Sequence, residues 1–362
     1  MKLLDKLIYG LNILAAVGLL LSYLSPFLNP THFWFVSFFG LAYPFLLLSN
    51  LIFVLYWTIR LKKQVFLSVV VIILGYFNFI NFFRLNSQTE YPPIEAVKIL
   101  SHNQGALGLN GPVFTTEPSK RVFKYLDEEV FDVYCFQEFF QTSRKGFSPL
   151  DSIKRITHAK YKHIEYLVEF RGNLFGLATF SQYPIVNKGR VEFSRQGTNM
   201  CIFTDIDFNG KIVRIYNMHL QSLNMKPADY KLFQEINATD STQITGAKNL
   251  LARLKNAFIK REEQATNISN HIKDCPYPVI VCGDFNDTPL SYSYNIIKGD
   301  LLDCFEENGT GFGSTYQGIF PLLRIDYMFH SPSVTNYYFE TKKIDLSDHY
   351  PIIGYFGFDE AE

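Results

Sequence analysis

The chain of 362 residues has little with which to build a zinc centre or a disulfide framework. Its five cysteines, Cys135, Cys201, Cys275, Cys282 and Cys304, are neither closely paired nor set as Cys-x-x-Cys, which argues against thiolate metal sites and dense cross-linking. Cys135 and Cys282 fall inside apolar runs, where a small buried thiol is the ordinary occupant. Positive charge is not in surplus either. Residues 1–84 hold six of the 34 Lys/Arg and one of the 34 Asp/Glu, leaving 28 bases against 33 acids in the remainder. That balance argues against a broad basic face that would hold nucleic acid electrostatically. The chain has no internal repeat and no low-complexity run. A last absence is local: no Asp, Glu, Lys or Arg occurs between Leu7 and Ile59, or between Gln64 and Phe83.

One bilayer crossing requires about 20 apolar residues. The Ser25-Pro26 and Asn29-Pro30 breakers divide the first uncharged stretch into candidate spans near 7–28 and 33–58, and the second stretch adds a third near 65–83. A cleaved leader is not expected, because further apolar stretches follow and no small-residue cleavage site precedes them. Lys2 and Lys6 precede the first span and Arg60, Lys62 and Lys63 follow the second, whereas the loop Asn29–His32 has no Lys or Arg. The positive-inside bias then puts the amino terminus in the cytoplasm and, after three spans, everything beyond Arg84 outside it. The expected organisation is a membrane domain over 1–85, a Pro-stiffened linker over 86–94 and a catalytic-type domain over 95–362.

Beyond the linker the pattern is mixed. Strands are expected at Ala96–Ser101, Val133–Phe136, Phe175–Phe180, Cys201–Phe208, Lys211–Leu220, Val279–Cys282, Arg324–Phe329 and Tyr350–Phe356, and helices at Lys120–Val130 and over 246–272. Strands with interspersed helices imply a layered α/β or α+β domain.

Several of these apolar runs end in a polar residue that a core does not need. ILSHN ends at Asn103, VYCFQE at Glu138 and VIVCGDFND at Asp284 and Asn286; RIYNMHL carries Asn217 and His219, RIDYMFH carries Asp326, and LSDHYPI carries Asp348 and His349. Singly, such residues are turn formers or caps. Repeated at strand ends that share a rim, they would assemble Glu, Asp, Asn and His without Cys. Oxygen donors without thiolates favour a hard cation such as Mg²⁺ or Mn²⁺ over zinc. Histidines beside carboxylates supply proton-transfer groups near neutral pH. Such a set suits water attack on a phosphate ester.

In order and wording, GDFND, NMHL, RIDY and SDHYPI resemble the endonuclease/exonuclease/phosphatase superfamily over residues 96–356. The resemblance implies a four-layer α/β-sandwich of the deoxyribonuclease-I-like type. It implies that Glu138 binds the metal, with Asn103 supporting that site and Asp348 at its rim. Asp284 would hold or activate the attacking water and Asn286 would donate to a phosphate oxygen. His219 would contact the phosphate and protonate the leaving group, and His349 would act as base or transition-state donor, oriented by Asp326. Asn217, Arg195 and Asn199 are weaker candidates for phosphate contact. Asp287 reads as a turn residue, and Arg261 and Gln264 as a helix-surface pair or a family position. Asn103 is followed by Gln104-Gly105 where repair endonucleases carry an acid, which argues against that branch.

The expected activity is a membrane-anchored, metal-dependent hydrolysis of phosphodiester bonds, endonuclease-like, with nucleic acid or a lipid headgroup as substrate. A phospholipid or sphingomyelin phosphodiesterase, or an inositol-phosphate phosphatase, is the alternative. The tether favours a lipid by raising the local concentration of a bilayer substrate. A non-catalytic binding module is disfavoured by the retention of the whole polar set. No obligate protein partner is expected.

Overall fold

The computed structural model of the chain describes residues 3–86, 92–108, 117–142, 147–193, 197–223, 229, 241–318 and 323–358. Most of the expected linker lies outside the described residues. The chain divides into two compact units, one comprising Met1–Phe83, Leu223–Glu262 and Asp287–Ile296, the other Arg84–Ser222, Glu263–Asn286 and Ile297–Glu362.

The first unit is helical. Its N-terminal part consists of α1 (Leu3–Leu24), α2 (Pro30–Leu41), α3 (Tyr43–Ile59), α4 (Val65–Leu74) and α5 (Tyr76–Ile80). Asp5 and Arg60 form an ion pair at 3.1 Å, which brings the start of α1 to the end of α3. At the other end of α1, Asn295 donates to the Pro26 carbonyl, and Asn29 and Thr31 both donate to the Glu262 carboxylate. Phe38 of α2 meets Phe258 edge to face, and Lys255 lies over the Trp34 ring. Both partners sit on the long helix Ser241–Lys273, so this face of α2 is covered by protein.

Three uninterrupted spans were expected, and the structure corrects this. Among the described residues, only α1 is long and apolar enough by itself to cross a membrane; α2 and α3 together make a second candidate bent by 53°. The bend follows from Pro44 in the first turn of α3, where proline supplies no N–H to continue the preceding ladder. The third stretch breaks at Gly75 into helices of 10 and 5 residues. Ten residues rise about 15 Å, half of a bilayer core. At the break the Tyr23 hydroxyl donates to the Val71 carbonyl, and a Cβ at Gly75 would run into that same hydroxyl.

The second unit is a sandwich of two six-stranded sheets. The first sheet is built from β2 (Val97–Asn103), β3 (Val133–Thr142), β4 (Tyr161–Phe170), β5 (Asn173–Ser181), β13 (Thr335–Thr341) and β14 (Ile352–Gly357), in the order β13-β14-β2-β3-β5-β4. The second contains β6 (Ile185–Val191), β7 (Met200–Phe208), β8 (Lys211–His219), β9 (Val279–Asp284), β10 (Leu302–Asp303) and β12 (Asp326–His330), in the order β10-β12-β9-β8-β7-β6. Two short strands, β1 (Arg84–Leu85) and β11 (Thr310–Gly311), pair apart from these. Helices α6 (Glu117–Glu128) and α7 (Pro149–Thr157) cover the outer face of the first sheet through Val122, Leu126 and Ile153. On the second sheet, His271 of the long helix bonds the Tyr216 hydroxyl and lies against the Phe203 ring.

Alternation decides what lies between the sheets, because every second residue of a strand shares a face. Val97 and Ile99, Val133 and Cys135, Val213 and Ile215, and Ile280 and Cys282 belong to one buried cluster. Two residues further along each strand the same face becomes polar, at Ser101, Gln137, Asn217 and Asp284. The pairs β2–β3 and β8–β9 are parallel, so these changes fall at one end of each pair.

Candidate active site

Strand pairing sets the acids and histidines beside one another. Asp284 ends β9 with His219 opposite it on β8 and Asp326 opposite it on β12. Gly283, at φ 137°, permits this close pairing, since a Cβ there would collide with the Met218 carbonyl. Asn103 ends β2, and Glu138 lies in β3 where the pairing with β5 slips between Phe136 and Phe139. Glu138 and Asn286 are both left-handed, at φ 49° and 53°. Non-glycine residues hold such angles at a cost of about 1–3 kcal/mol, and they cluster at functional sites.

The Asp284 carboxylate is the meeting point. Its Oδ1 accepts from the Asn286 backbone N–H at 2.8 Å, and its Oδ2 accepts from Asn103 Nδ2 at 2.9 Å. The same Oδ2 lies 3.6 Å from His219 Nε2 and 3.8 Å from His349 Nε2. Asp326 holds the other ring nitrogen of His349, with Oδ2 2.9 Å from Nδ1. Burial alone would lower the His349 pKa, but Asp326 and Asp284 outweigh it and lift the value to about 10. The ring is therefore an imidazolium that donates through Nδ1. Burial raises the Asp284 pKa and the neighbouring Asp326 adds to this, while His349 and His219 oppose it.

Glu138 Oε1 is 3.5 Å from Asn103 Nδ2 and 3.9 Å from His219 Nε2, and among the described residues no Lys or Arg pairs with it. Asp348 is exposed beside His349, and its charge helps to keep that ring protonated. Atoms of Asp284, Asp326 and His349 all lie within 4.8 Å of one another; with His349 protonated, the donors this group offers a cation are its two carboxylates. Carboxylates gathered with no lysine, arginine or thiolate among them in the described residues fit a hard divalent cation. Asn103 faces them with its nitrogen, because its Oδ1 accepts from the Gly105 N–H.

The weaker candidates differ from one another in placement. Asn199 donates to the Leu220 carbonyl, which Asn286 Nδ2 also contacts. Asn217 is fully buried between the sheets, away from the rim. Arg195 lies outside the described residues. Asp287 is more than a turn residue: it is buried and paired with Arg261 at 2.9 Å, and Ser293 donates to it as well. Arg261 and Gln264 are buried rather than on a helix surface, with Gln264 accepting from the Gln221 N–H.

Sequence reasoning gave no part to His102 and Ser347. The Ser347 hydroxyl donates to the Asn103 carbonyl at 2.6 Å and accepts from the His349 N–H at 3.0 Å, while His102 Nε2 lies 3.2 Å from it. His102 is kept neutral, pushed down to about 3 by burial and by the His349 charge. A serine two residues before the histidine is an ST-turn signature, and this was the readable signal.

Residues 106–349 match the model of the Endonuclease/Exonuclease/phosphatase family, more than half of the chain. The chain belongs to this family and is a phosphate-ester hydrolase by class. Residues 5–82 match a second model, described as Domain of unknown function (DUF8431). Among solved structures, the fold is similar to the human Nocturnin catalytic domain with bound sulfate, at TM-score 0.52 and 17% identity over 74% of this chain and 97% of that one. It is also similar to an endonuclease/exonuclease/phosphatase from Beutenbergia cavernae, at TM-score 0.51 and 16% identity over 72% and 71% of the two chains. No curated protein matches in sequence.

Proposed function

We propose that the chain is a membrane-anchored phosphodiester hydrolase that uses Mg²⁺ or Mn²⁺. The observation that carries this reading is the convergence of both histidine Nε2 atoms on Asp284 Oδ2, with Glu138 and Asn103 alongside. In this reading Glu138 and Asp348 hold the cation, steadied by Asn103, and the cation's contribution is to neutralise charge that builds on the phosphate oxygens. Asp284 orients the attacking water and takes its proton as the new P–O bond forms. Asn286 uses one amide N–H on the Leu220 carbonyl, which leaves the second for a phosphate oxygen. The His349 imidazolium, fixed by Asp326, donates to the phosphorane-like charge through Nε2. His219 delivers a proton to the leaving oxygen as the old P–O bond breaks.

Residues 1–85 serve as anchor, 86–94 as linker and 95–362 as the catalytic domain, with 241–262 and 287–296 folded against the anchor helices. The distribution of Lys and Arg supports an extracytoplasmic catalytic domain. A reporter fused after Glu362 that scored cytoplasmic would reverse this topology. Nucleic acid is the first substrate expected. A lipid phosphodiester is the second reading, favoured by the apolar helical unit. Full-length protein in detergent, with Mg²⁺ or Mn²⁺, is to be assayed on DNA, RNA, sphingomyelin, phosphatidylinositol and inositol phosphates. Turnover of one class that vanishes in His349→Ala supports the reading, and equal activity of wild type and variant would end it.

A further inference from the structure

Beneath the charged rim lies a layer of uncharged polar side chains. Gln137 Nε2 donates to Asn217 Oδ1 at 2.7 Å and to Ser101 Oγ at 3.1 Å, linking β3 to β8 and β2. Asn217 Nδ2 in turn faces two main-chain carbonyls, Ala178 at 3.1 Å and Phe136 at 3.3 Å. Those carbonyls sit on the two strands that flank the slip in β3, where Phe136 still pairs with Ala178 but the next register pair is Phe139 with Gly176. The slip is a bulge, with Gln137 and Glu138 opposing Leu177 alone. Bulges interrupt the ladder locally and re-aim a side chain. Buried carbonyls beside such an interruption gain from a donor of fixed geometry, and the Asn217 amide donates to both. On the opposite edge the Gln137 carbonyl accepts from the Gln104 N–H at 3.0 Å. Gln137 is thus held on both sides, and the residue that follows it is Glu138 at φ 49°.

We propose that Asn217 is a positioning residue: it seats the β3 bulge and so sets the aim of the Glu138 carboxylate, without touching phosphate itself. This rests on the reading of Glu138 as a cation-holding carboxylate. Partners behind a metal-holding group commonly contribute 10–100-fold to affinity. A residue acting through Glu138 changes cation binding, whereas a phosphate contact changes substrate binding at saturating cation.

The experiment measures Mn²⁺ binding to the full chain in detergent, through loss of the free-ion electron paramagnetic resonance signal, alongside KM for the substrate found in the panel above. Asn217→Leu, which removes both donors, is expected to weaken Mn²⁺ binding about 10-fold while KM at saturating Mn²⁺ stays within about 2-fold. Asn217→Asp keeps shape and the acceptor for Gln137 but loses the amide donors, and the same loss is expected. Gln137→Met, expected to weaken binding about 3-fold, decides the matter where neither Asn217 variant folds. Unchanged Mn²⁺ affinity in the folded variants, or a raised KM with unchanged affinity, overturns the proposal. Glu138→Gln separates the two layers of the argument: if it binds Mn²⁺ as wild type does, the cation reading itself fails.

Discussion

Both units bury asparagine, and they do so differently. In the helical unit Asn12 Nδ2 donates to Ser68 Oγ, Ser68 Oγ donates to Asn50 Oδ1, Trp57 Nε1 donates to Asn12 Oδ1, and Asn50 Nδ2 contacts the Ala15 and Leu46 carbonyls. This network closes on itself, contains no charge and ties α1, α3 and α4 together. In the sandwich the network of Ser101, Gln137 and Asn217 rises towards Glu138, Asp284, Asp326 and two histidines. A closed neutral network satisfies what folding has buried. A network that ends in buried carboxylates gathered around an imidazolium holds charges that folding alone does not require, and such perturbed groups cluster at sites of chemistry.

The sharpest way to break this contrast is to neutralise the centre of the crowded side. Asp284→Asn is expected to lower hydrolysis by about 10³–10⁴-fold, the scale seen when a catalytic carboxylate is lost. In metal-free protein the same change removes a buried charge beside Asp326, so the melting temperature is expected to rise by about 2–6 °C. Calorimetry in chelator measures this. A falling melting temperature would mean that Asp284 is a structural group like Asn12.

His349 tests the same contrast by pH. Its folded pKa, about 10, is above the ordinary 6.5. Its stabilising contribution in metal-free protein is therefore fully present below about pH 6.5 and is lost as pH rises through about 10. Denaturant titrations of wild type and His349→Gln are expected to show a gap near neutral pH that closes above about pH 10. Asp326→Asn removes the strongest favourable charge, so the gap closes at lower pH. A gap independent of pH would show that His349 is held by packing alone.

The same contrast explains what could be read in advance. Central strands were legible because their alternation is strong, and the polar residues ending them stood out against apolar neighbours. Apart from the two-residue β1 and β11, the strands missed, β4, β6, β10 and β13, are the four sheet edges; in the longer ones charged residues such as Glu165, Lys188 and Arg190 blur the period. The bulge at Gln137–Glu138 leaves no trace in composition, so Asn217 was set among phosphate contacts when its amide serves main-chain carbonyls. Asp287 was read as a turn former because its partner Arg261 lies 26 residues away. Apolar length announced three spans, but Pro44 and Gly75 interrupt helices that hydropathy runs together.

On the closed side, Asn12→Leu leaves the Trp57 N–H without its acceptor and takes from the Ser68 hydroxyl the donor it accepts from, while that hydroxyl still donates to Asn50. The expected cost is about 1–2 kcal/mol of stability in detergent, with Mn²⁺ affinity and hydrolysis within about 2-fold of wild type. A loss of Mn²⁺ affinity would join the two networks that the comparison separates.

The smallest effect is expected at Gly75, and its sign carries the information. A methyl group there meets the Tyr23 hydroxyl that bonds the Val71 carbonyl. Gly75→Ala alone is therefore expected to destabilise by about 1 kcal/mol through overpacking. In a Tyr23→Ala background the collision is gone, and alanine's better helix propensity, worth about 1 kcal/mol over glycine, should make the same change stabilising. A double-mutant cycle on thermal unfolding measures that reversal. If Gly75→Ala stabilises in both backgrounds, the break between α4 and α5 is not imposed by Tyr23, and Val65–Ile80 is free to run as one helix of about 24 Å, closer to the span that hydropathy announced.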